Sequence, residues 1–189
     1  MRQVVLAVLL ILTVLRSHGQ TEGDDVYLKP EAFLNETFAT SPNGPPTPSL
    51  LWLSRDIRSA VHDILGHDYP ALRIRYWRAE SVDGAGTRTA WILEEIGKVK
   101  PITAGLVVRD GALEEVKVLI YRESHGWEVK HPFFTNQFRG AALDKSGRLT
   151  QQIDGIAGAT LSVDALTRLG RLALVLHDRV TMQEGLAAP

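Results

Sequence analysis

A run of small residues that ends in a threonine lies just before a predicted helix. It reads Asp154-Gly155-Ile156-Ala157-Gly158-Ala159-Thr160, and Leu161, Ser162 and an amphipathic stretch follow it. Gly158 and Ala159 carry almost no side chain, so a bulky group can approach the backbone closely. The first N–H groups of a helix have no acceptor within it and favour an anion. The pattern therefore predicts a turn that holds a phosphate, with the Thr160 hydroxyl at its edge.

The same run resembles the attachment motif of the FMN-binding domain family, found in subunits of the sodium-pumping quinone reductase and of the Rnf complex. That motif reads Asp-x-x-(Ser/Thr)-Gly-Ala-Thr-(Ser/Thr or apolar)-(Ser/Thr), and its threonine carries FMN through a phosphoester bond. The matching positions are Asp154, Gly158, Ala159, Thr160 and Ser162. Ala157 departs from the motif, which has Ser or Thr there. The resemblance implies covalent FMN on Thr160; the alternative is an ordinary turn that caps the helix through Ser162.

A second stretch, residues 121–129, combines polar residues, glycine and tryptophan directly after a predicted strand. Its Glu123, Ser124 and Gly126 are similar to the Glu-(Ser/Thr)-x-Gly element of the same family, which packs beside the flavin. Gln137-Phe138-Arg139-Gly140 resembles the family's Phe-x-Gly stretch between the two motifs. The resemblance covers about residues 98–176, with a weaker likeness over residues 27–96. The predicted cofactor site comprises Asp154, Ala157, Gly158, Ala159, Thr160, Leu161 and Ser162, together with Glu123, Ser124, His125, Gly126 and Trp127.

Three residues of the upstream loop have two interpretations each. Trp127 either stacks on the isoalloxazine ring or packs on the sheet. His125 either donates a hydrogen bond to the flavin or is a solvated loop histidine. Glu123 either touches the cofactor or caps the loop's own backbone N–H groups. The second is expected, because a carboxylate beside a phosphate or a reduced flavin is electrostatically unfavourable.

Composition sets broad limits on the class of protein. The 189 residues are 44% hydrophobic and 23% charged, which suits one globular domain. The net charge is −1, so a nucleic-acid partner is not indicated. Cysteine is absent, which excludes disulfides, iron–sulfur clusters and cysteine-based redox chemistry. An electron-carrying centre in this chain must be organic or held by other ligands.

The first residues predict export. Arg2 precedes an apolar run over residues 4–15, and Ser17 and Gly19 occupy the small-residue positions of a cleavage site before Gln20. We interpret residues 1–19 as a signal peptide, with an uncleaved anchor as the alternative. The mature chain is then expected in the periplasm or on the outer face of the cytoplasmic membrane.

Periodicity predicts the elements that position the two motifs. Helices are expected within Tyr27 to Phe38 from about Pro30, over Ser49 to Leu65, and from Ser162 to about His177. The proline-rich residues 41–48 are expected to form a linker or a surface loop. Between Leu72 and Ile120 the period changes toward two and predicts an antiparallel meander, with turns at Asp83–Gly86 and Asp110-Gly111. Leu149 to Ile153 is strand-like.

The predicted fold class is therefore α+β, a mainly antiparallel sheet with packed helices in a single domain. Its predicted parts are the signal peptide (1–19), an N-terminal helix and proline-rich loop (20–48), the FMN-binding domain (49–180, flavin core about 98–176) and a tail (181–189).

Other constellations predict little chemistry. His62 and His67 are five apart at a helix end, which does not bring their rings to one face, so no metal site is predicted. Ser162, Asp164 and His177 lack the order and turn of a hydrolase elbow. No catalytic residue is assigned, and an electron carrier is favoured over a stand-alone enzyme.

The resemblance implies a function in two stages. A separate Mg²⁺-dependent flavin transferase takes FAD as donor, passes its FMN half to Thr160 and releases AMP, with Asp154 positioning the hydroxyl or the metal. The protein then exchanges electrons with redox partner proteins, expected at the membrane. Two alternatives remain: a binding or sensor module of a membrane respiratory complex without flavin, and an enzyme with noncovalent FMN.

Overall fold

The computed structural model describes residues 24–80 and 86–185. The elements follow in the order β1 (Asp25–Val26), α1 (Pro30–Thr37), β2 (Ser49–Trp52), α2 (Arg55–Leu65), β3 (Arg73–Glu80), β4 (Thr87–Ile96), β5 (Pro101–Arg109), β6 (Ala112–Tyr121), α3 (Pro132–Thr135) and α4 (Thr160–Gly185). Short 3₁₀ turns at Trp127–Lys130 and Asn136–Phe138 lie on either side of α3. The α+β class predicted from the sequence is confirmed.

The strands form one antiparallel sheet in the order β1-β6-β5-β4-β3-β2. β3 to β6 are neighbours both in sequence and in space, which is the predicted meander. Asp110 and Gly111 join β5 to β6 with φ of 51° and 77°, the positive pair that a tight hairpin needs. The turn predicted between β3 and β4 falls mostly on residues 81–85, outside the described residues.

Helices cover both faces of the sheet, because alternate residues of each strand point to opposite sides. On one face, α2 and α4 pack over strand residues such as Trp91, Leu106 and Val118. On the other face, Phe33 of α1 packs against Val107 and Leu119, which are the chain neighbours of Leu106 and Val118. The result is a single domain in which α2 and α4 cover the same face of the sheet.

The helix predicted over Ser49 to Leu65 is wrong in its first part. Residues 49–52 form β2, where buried Leu51 alternates with exposed Leu50 and Trp52, and Leu51 pairs with Ile74 of β3. The helix itself starts at Arg55 and ends before Gly66, whose φ of +80° stops it as predicted. α1 also begins at the predicted proline, Pro30.

Two other boundaries differ from the prediction. Leu149 to Ile153 is not a strand: within the described chain it contributes a single bridge, from Leu149 to Leu143. α4 starts at Thr160, two residues before the predicted Ser162, and continues to Gly185, so residues 181–185 of the predicted tail are helical.

The predicted signal peptide, residues 1–19, lies outside the described residues. Among the helices between residues 24 and 185, none is both long enough and apolar enough to cross a bilayer.

Candidate functional site

The start of α4 forms one wall of an open cleft of about 480 Å³. The other walls are the segment after β6 and the turn between β4 and β5. The lining consists of Lys98, residues 123–125 and residues 158–162. Residues of both motifs, such as His125 and Gly158, which are 33 positions apart in the sequence, therefore face the same space.

The backbone turns sharply just before α4. The N–H of Ala159 donates to the carbonyl of Ile156 at 2.9 Å, and Gly158 between them has φ of +83°. A Cβ on Gly158 would meet nothing within 4 Å, so the backbone is open to the cleft at this position. Ala159 is buried, and its carbonyl accepts the N–H of Val163 at 3.0 Å as α4 begins.

Thr160 is the first residue of α4, and its side chain is exposed in the cleft. Helix geometry leaves the N–H groups of Thr160, Leu161 and Ser162 without acceptors in the helix. Ala159 before them has no oxygen in its side chain to cap these donors. The positive end of a long helix thus faces the cleft beside a free hydroxyl, which suits a phosphate group.

A buried hydrogen-bonded pair fixes the loop after β6 to this helix end. Burial raises the pKa of the Tyr121 phenol above its ordinary value, so the hydroxyl stays protonated and donates to the carbonyl of His125 at 2.5 Å. Because the Tyr121 hydroxyl proton is already donated to His125, the buried Ser162 hydroxyl donates to Tyr121 Oη at 2.8 Å. Ser162 therefore holds the helix start to the sheet and does not cap the helix, which was the alternative for this turn.

Gly126 lies between these two hydroxyls. Its φ is +87°, and a Cβ there would lie 2.8 Å from Tyr121 Oη and 3.0 Å from Ser162 Oγ. The predicted glycine is therefore required by close approach of the loop to α4, behind the cleft lining.

Glu123 was expected to organise its own loop, but it organises the backbone of the β4–β5 turn instead. Its Oε1 accepts the N–H groups of Lys98 and Val99 at 2.5 Å each and of Lys100 at 2.8 Å. Partial burial acts to raise the pKa of the Glu123 carboxyl, but these three donors outweigh it and the pKa lies below its ordinary value. The carboxylate locks the β4–β5 turn to the end of β6.

The remaining loop residues lie at different distances from the cleft. Ser124 and His125 are exposed in its lining, and Ser124 Oγ lies 2.9 Å from His125 Nδ1. Trp127 is 44% exposed and stands outside the lining, edge-on to His131 with Lys130 over its ring. It is therefore not buried on the sheet.

Asp154 and Ala157 also lie outside the cleft lining, and both are exposed. The N–H of Asp154 donates to Gln137 Oε1 at 2.7 Å, so the segment resembling Phe-x-Gly anchors the chain that leads into the turn. Phe138 of the same segment is fully buried.

Lys98 is the lining residue that sequence reasoning missed. It stands on the β4–β5 turn, 25 residues before Glu123 along the chain, and its side chain is exposed. Its presence in the cleft depends on the contact between that turn and Glu123, which no local pattern shows.

The weaker constellations do not assemble into sites. Ser162 bonds Tyr121, whereas His177 bonds Thr89 at 2.8 Å, so the two do not meet in a triad. His62 pairs with Asp68 and His67 with Glu95. Over residues 24–80 and 86–185, no group of three or more metal-ligating side chains is close enough to hold an ion.

Two comparisons with known proteins find a similar family and a similar fold. Residues 97–175 match the family model of the FMN-binding domain. The match confirms the resemblance inferred from the motifs, and it spans the β4–β5 turn, the loop after β6 and most of α4. The fold is similar to the crystal structure of NqrC from Shewanella oneidensis, with a TM-score of 0.51 and 15% identity over 74% of this chain and 81% of that chain. A comparison with curated proteins finds no match.

Proposed function

We propose that this protein is an electron-transfer flavoprotein that works outside the cytoplasmic membrane and carries one FMN, linked by a phosphoester to Thr160. The observation that supports this most directly is the exposed Thr160 hydroxyl at the first position of α4, in the lining of the cleft. The match of the surrounding segment to the FMN-binding domain supports FMN as the ligand.

The cleft suits this cofactor in size and in polarity. Its volume of about 480 Å³ lies in the usual range for cofactor sites, roughly 300 to 1,000 Å³. The open backbone at Gly158 leaves room for a phosphate, and the first N–H groups of α4 favour its negative charge. Glu123 fixes the β4–β5 turn and Tyr121 fixes the loop after β6, so the walls of the cleft are formed before the ligand arrives.

Attachment requires a second protein. A Mg²⁺-dependent transferase breaks the P–O–P bond of FAD; the Thr160 oxygen forms the new P–O bond and loses its proton, and AMP leaves. Thr160 supplies the acceptor oxygen, and the turn before it presents that oxygen to the transferase. Asp154 is exposed beside the turn rather than inside the cleft, which suits recognition by the transferase.

The residues of this chain hold and orient the cofactor, and the bound flavin supplies the electron transfer. Covalent linkage suits a protein that works outside the cell, because a lost cofactor could not readily be replaced there. The apolar run over residues 4–15 supports export. The proposed redox partners are proteins at the membrane.

The test is expression with and without a flavin transferase, followed by intact mass and by in-gel fluorescence after denaturation. With the transferase, the mature chain should gain one FMN less one water and remain fluorescent. Thr160→Val should abolish both signals, because it keeps the shape of the side chain and removes the oxygen. Ser124→Ala is the control, since it removes another exposed hydroxyl from the same cleft.

The outcomes separate the three functions. A Thr160→Val variant as fluorescent as the wild type contradicts the attachment site. Flavin that binds but is lost on denaturation supports a noncovalent FMN protein. No flavin in any form, with a transferase that modifies another substrate in the same cells, supports a binding or sensor module.

A further inference from the structure

We propose that Lys98 is the cationic group of the flavin cleft and that its charge raises the midpoint potential of the bound FMN. The inference rests on the proposed function, because it concerns the same cleft. It adds a specific role for a residue outside both sequence motifs.

The position of Lys98 is fixed by its backbone. Its N–H donates to Glu123 Oε1 at 2.5 Å, as does the N–H of Val99. A Cβ on Gly97 would lie 3.1 Å from the same oxygen, so the turn packs closely on the carboxylate. The turn therefore places Lys98 in the lining of the cleft, together with the helix start that carries Thr160.

The other ionisable groups in the cleft lining are already engaged. The Glu123 carboxylate accepts three N–H groups, and the His125 ring bonds the Ser124 hydroxyl. Among the described residues, the Lys98 ammonium has no hydrogen-bond or ion-pair partner. A cation without a partner on the wall of an anion-binding cleft is available to the ligand.

The effect on the potential follows from charge. Uptake of two electrons and one proton leaves the flavin ring with one more negative charge than in its oxidised form. A nearby ammonium stabilises the reduced form more than the oxidised form, so it makes reduction easier. Lys98 is exposed, and its contribution should therefore weaken as salt screens the pair.

The experiment uses full-length protein produced with the transferase, its flavin content confirmed by intact mass. Spectroelectrochemical titration gives the midpoint potential of the wild type, Lys98→Gln and Lys98→Arg at low and at high ionic strength. Lys145→Gln is the matched control, because it removes one positive charge from an exposed loop outside the cleft lining. Lys98→Gln keeps the backbone N–H that Glu123 binds.

We expect Lys98→Gln to lower the equilibrium constant for reduction about tenfold at low salt, which is about 30 mV for two electrons. The difference should shrink at high salt, and Lys98→Arg and Lys145→Gln should stay near the wild type. An unchanged potential in Lys98→Gln, or an equal shift in Lys145→Gln, overturns the inference and leaves the flavin attachment intact.

Flavin uptake distinguishes a failure of this inference from a failure of the proposed function. A wild type that takes up no flavin contradicts the proposed function and the inference together. If Lys98→Gln takes up no flavin, Lys98→Arg decides: uptake by the arginine variant supports a cation at this position, and failure of both variants overturns it.

Discussion

Gly126 and Gly158 both have positive φ at the cleft, but their surroundings differ. At Gly126 a Cβ would clash with Tyr121 Oη and Ser162 Oγ, whereas at Gly158 it would meet open space. Gly126→Ala should therefore lower the free energy of unfolding by about 2–4 kcal/mol, from backbone strain plus overpacking. Gly158→Ala should cost about 1–2 kcal/mol, from the left-handed backbone alone. Urea unfolding of both variants measures the difference.

Gly155→Ala is the control for this pair. Gly155 has no positive φ, and a Cβ there would meet nothing within 4 Å, so the substitution should change stability by less than about 1 kcal/mol. Equal losses in Gly126→Ala and Gly158→Ala would show that the contact with Tyr121 and Ser162 contributes nothing.

How far the sequence predicts the site depends on the range of each residue's contacts. Thr160 and Gly158 could be predicted, because a small-residue turn and a helix start are local features. Gly126 was predicted as a family position, but its physical reason is a contact with Ser162, 36 residues away. Lys98 was missed, because only the contact of its turn with Glu123 brings it to the cleft.

At the scale of elements, one carboxylate joins the β4–β5 turn to the end of β6. Glu123→Gln keeps an oxygen that can accept hydrogen bonds but removes the charge that three N–H donors stabilise. We expect a loss of about 1–3 kcal/mol in the free energy of unfolding at neutral pH, measured by urea denaturation.

The pH dependence of that loss gives a second check. The folded pKa of Glu123 is below the ordinary 4.5, so its stabilisation is present above pH 4.5 and is lost as the pH falls through the folded pKa. The wild type and Glu123→Gln should therefore converge in acid. Glu31→Gln, an exposed carboxylate on α1, should show a much smaller loss at neutral pH; a loss as large as that of Glu123→Gln would mean that net charge, and not the turn, is responsible.

The elements themselves were predictable where one periodicity dominated. The hairpin at Asp110-Gly111 and the stop at Gly66 follow from local backbone chemistry. Ser49 to Trp52 was assigned to the helix because its leucines fit either period over so short a run. Pairing of Leu51 with Ile74 decides for a strand, and that contact joins residues 23 positions apart.

In the whole molecule, α4 carries the site at its first residue and is fixed to the sheet along its length. Arg168 Nη2 lies 3.0 Å from Oε1 of Glu95, a buried carboxylate on β4. About two and a half turns further along the helix, His177 Nδ1 lies 2.8 Å from Thr89 Oγ1, and His177 Nε2 accepts the N–H of Gly111 at 3.3 Å. Since Nε2 accepts, the neutral ring carries its proton on Nδ1 and donates it to Thr89. The arrangement has no place for a second proton.

This makes the stability of the fold sensitive to mild acid. Burial lowers the pKa of His177 below 6.5, so the unfolded chain binds a proton that the folded chain does not, and stability falls as the pH drops below about 6.5. The slope from this residue is at most about 1.4 kcal/mol per pH unit. His177→Gln should lower stability at pH 7.5 but flatten its decline toward pH 5, as measured by urea unfolding at each pH.

His67 should have the opposite effect on the pH dependence. A hydrogen bond to the Asp68 carbonyl, and Glu95 beside it, raise the pKa of His67, so its contribution to stability is kept in acid. His67→Gln should therefore steepen the decline, and an unchanged slope in His177→Gln would mean that another group is responsible for the sensitivity.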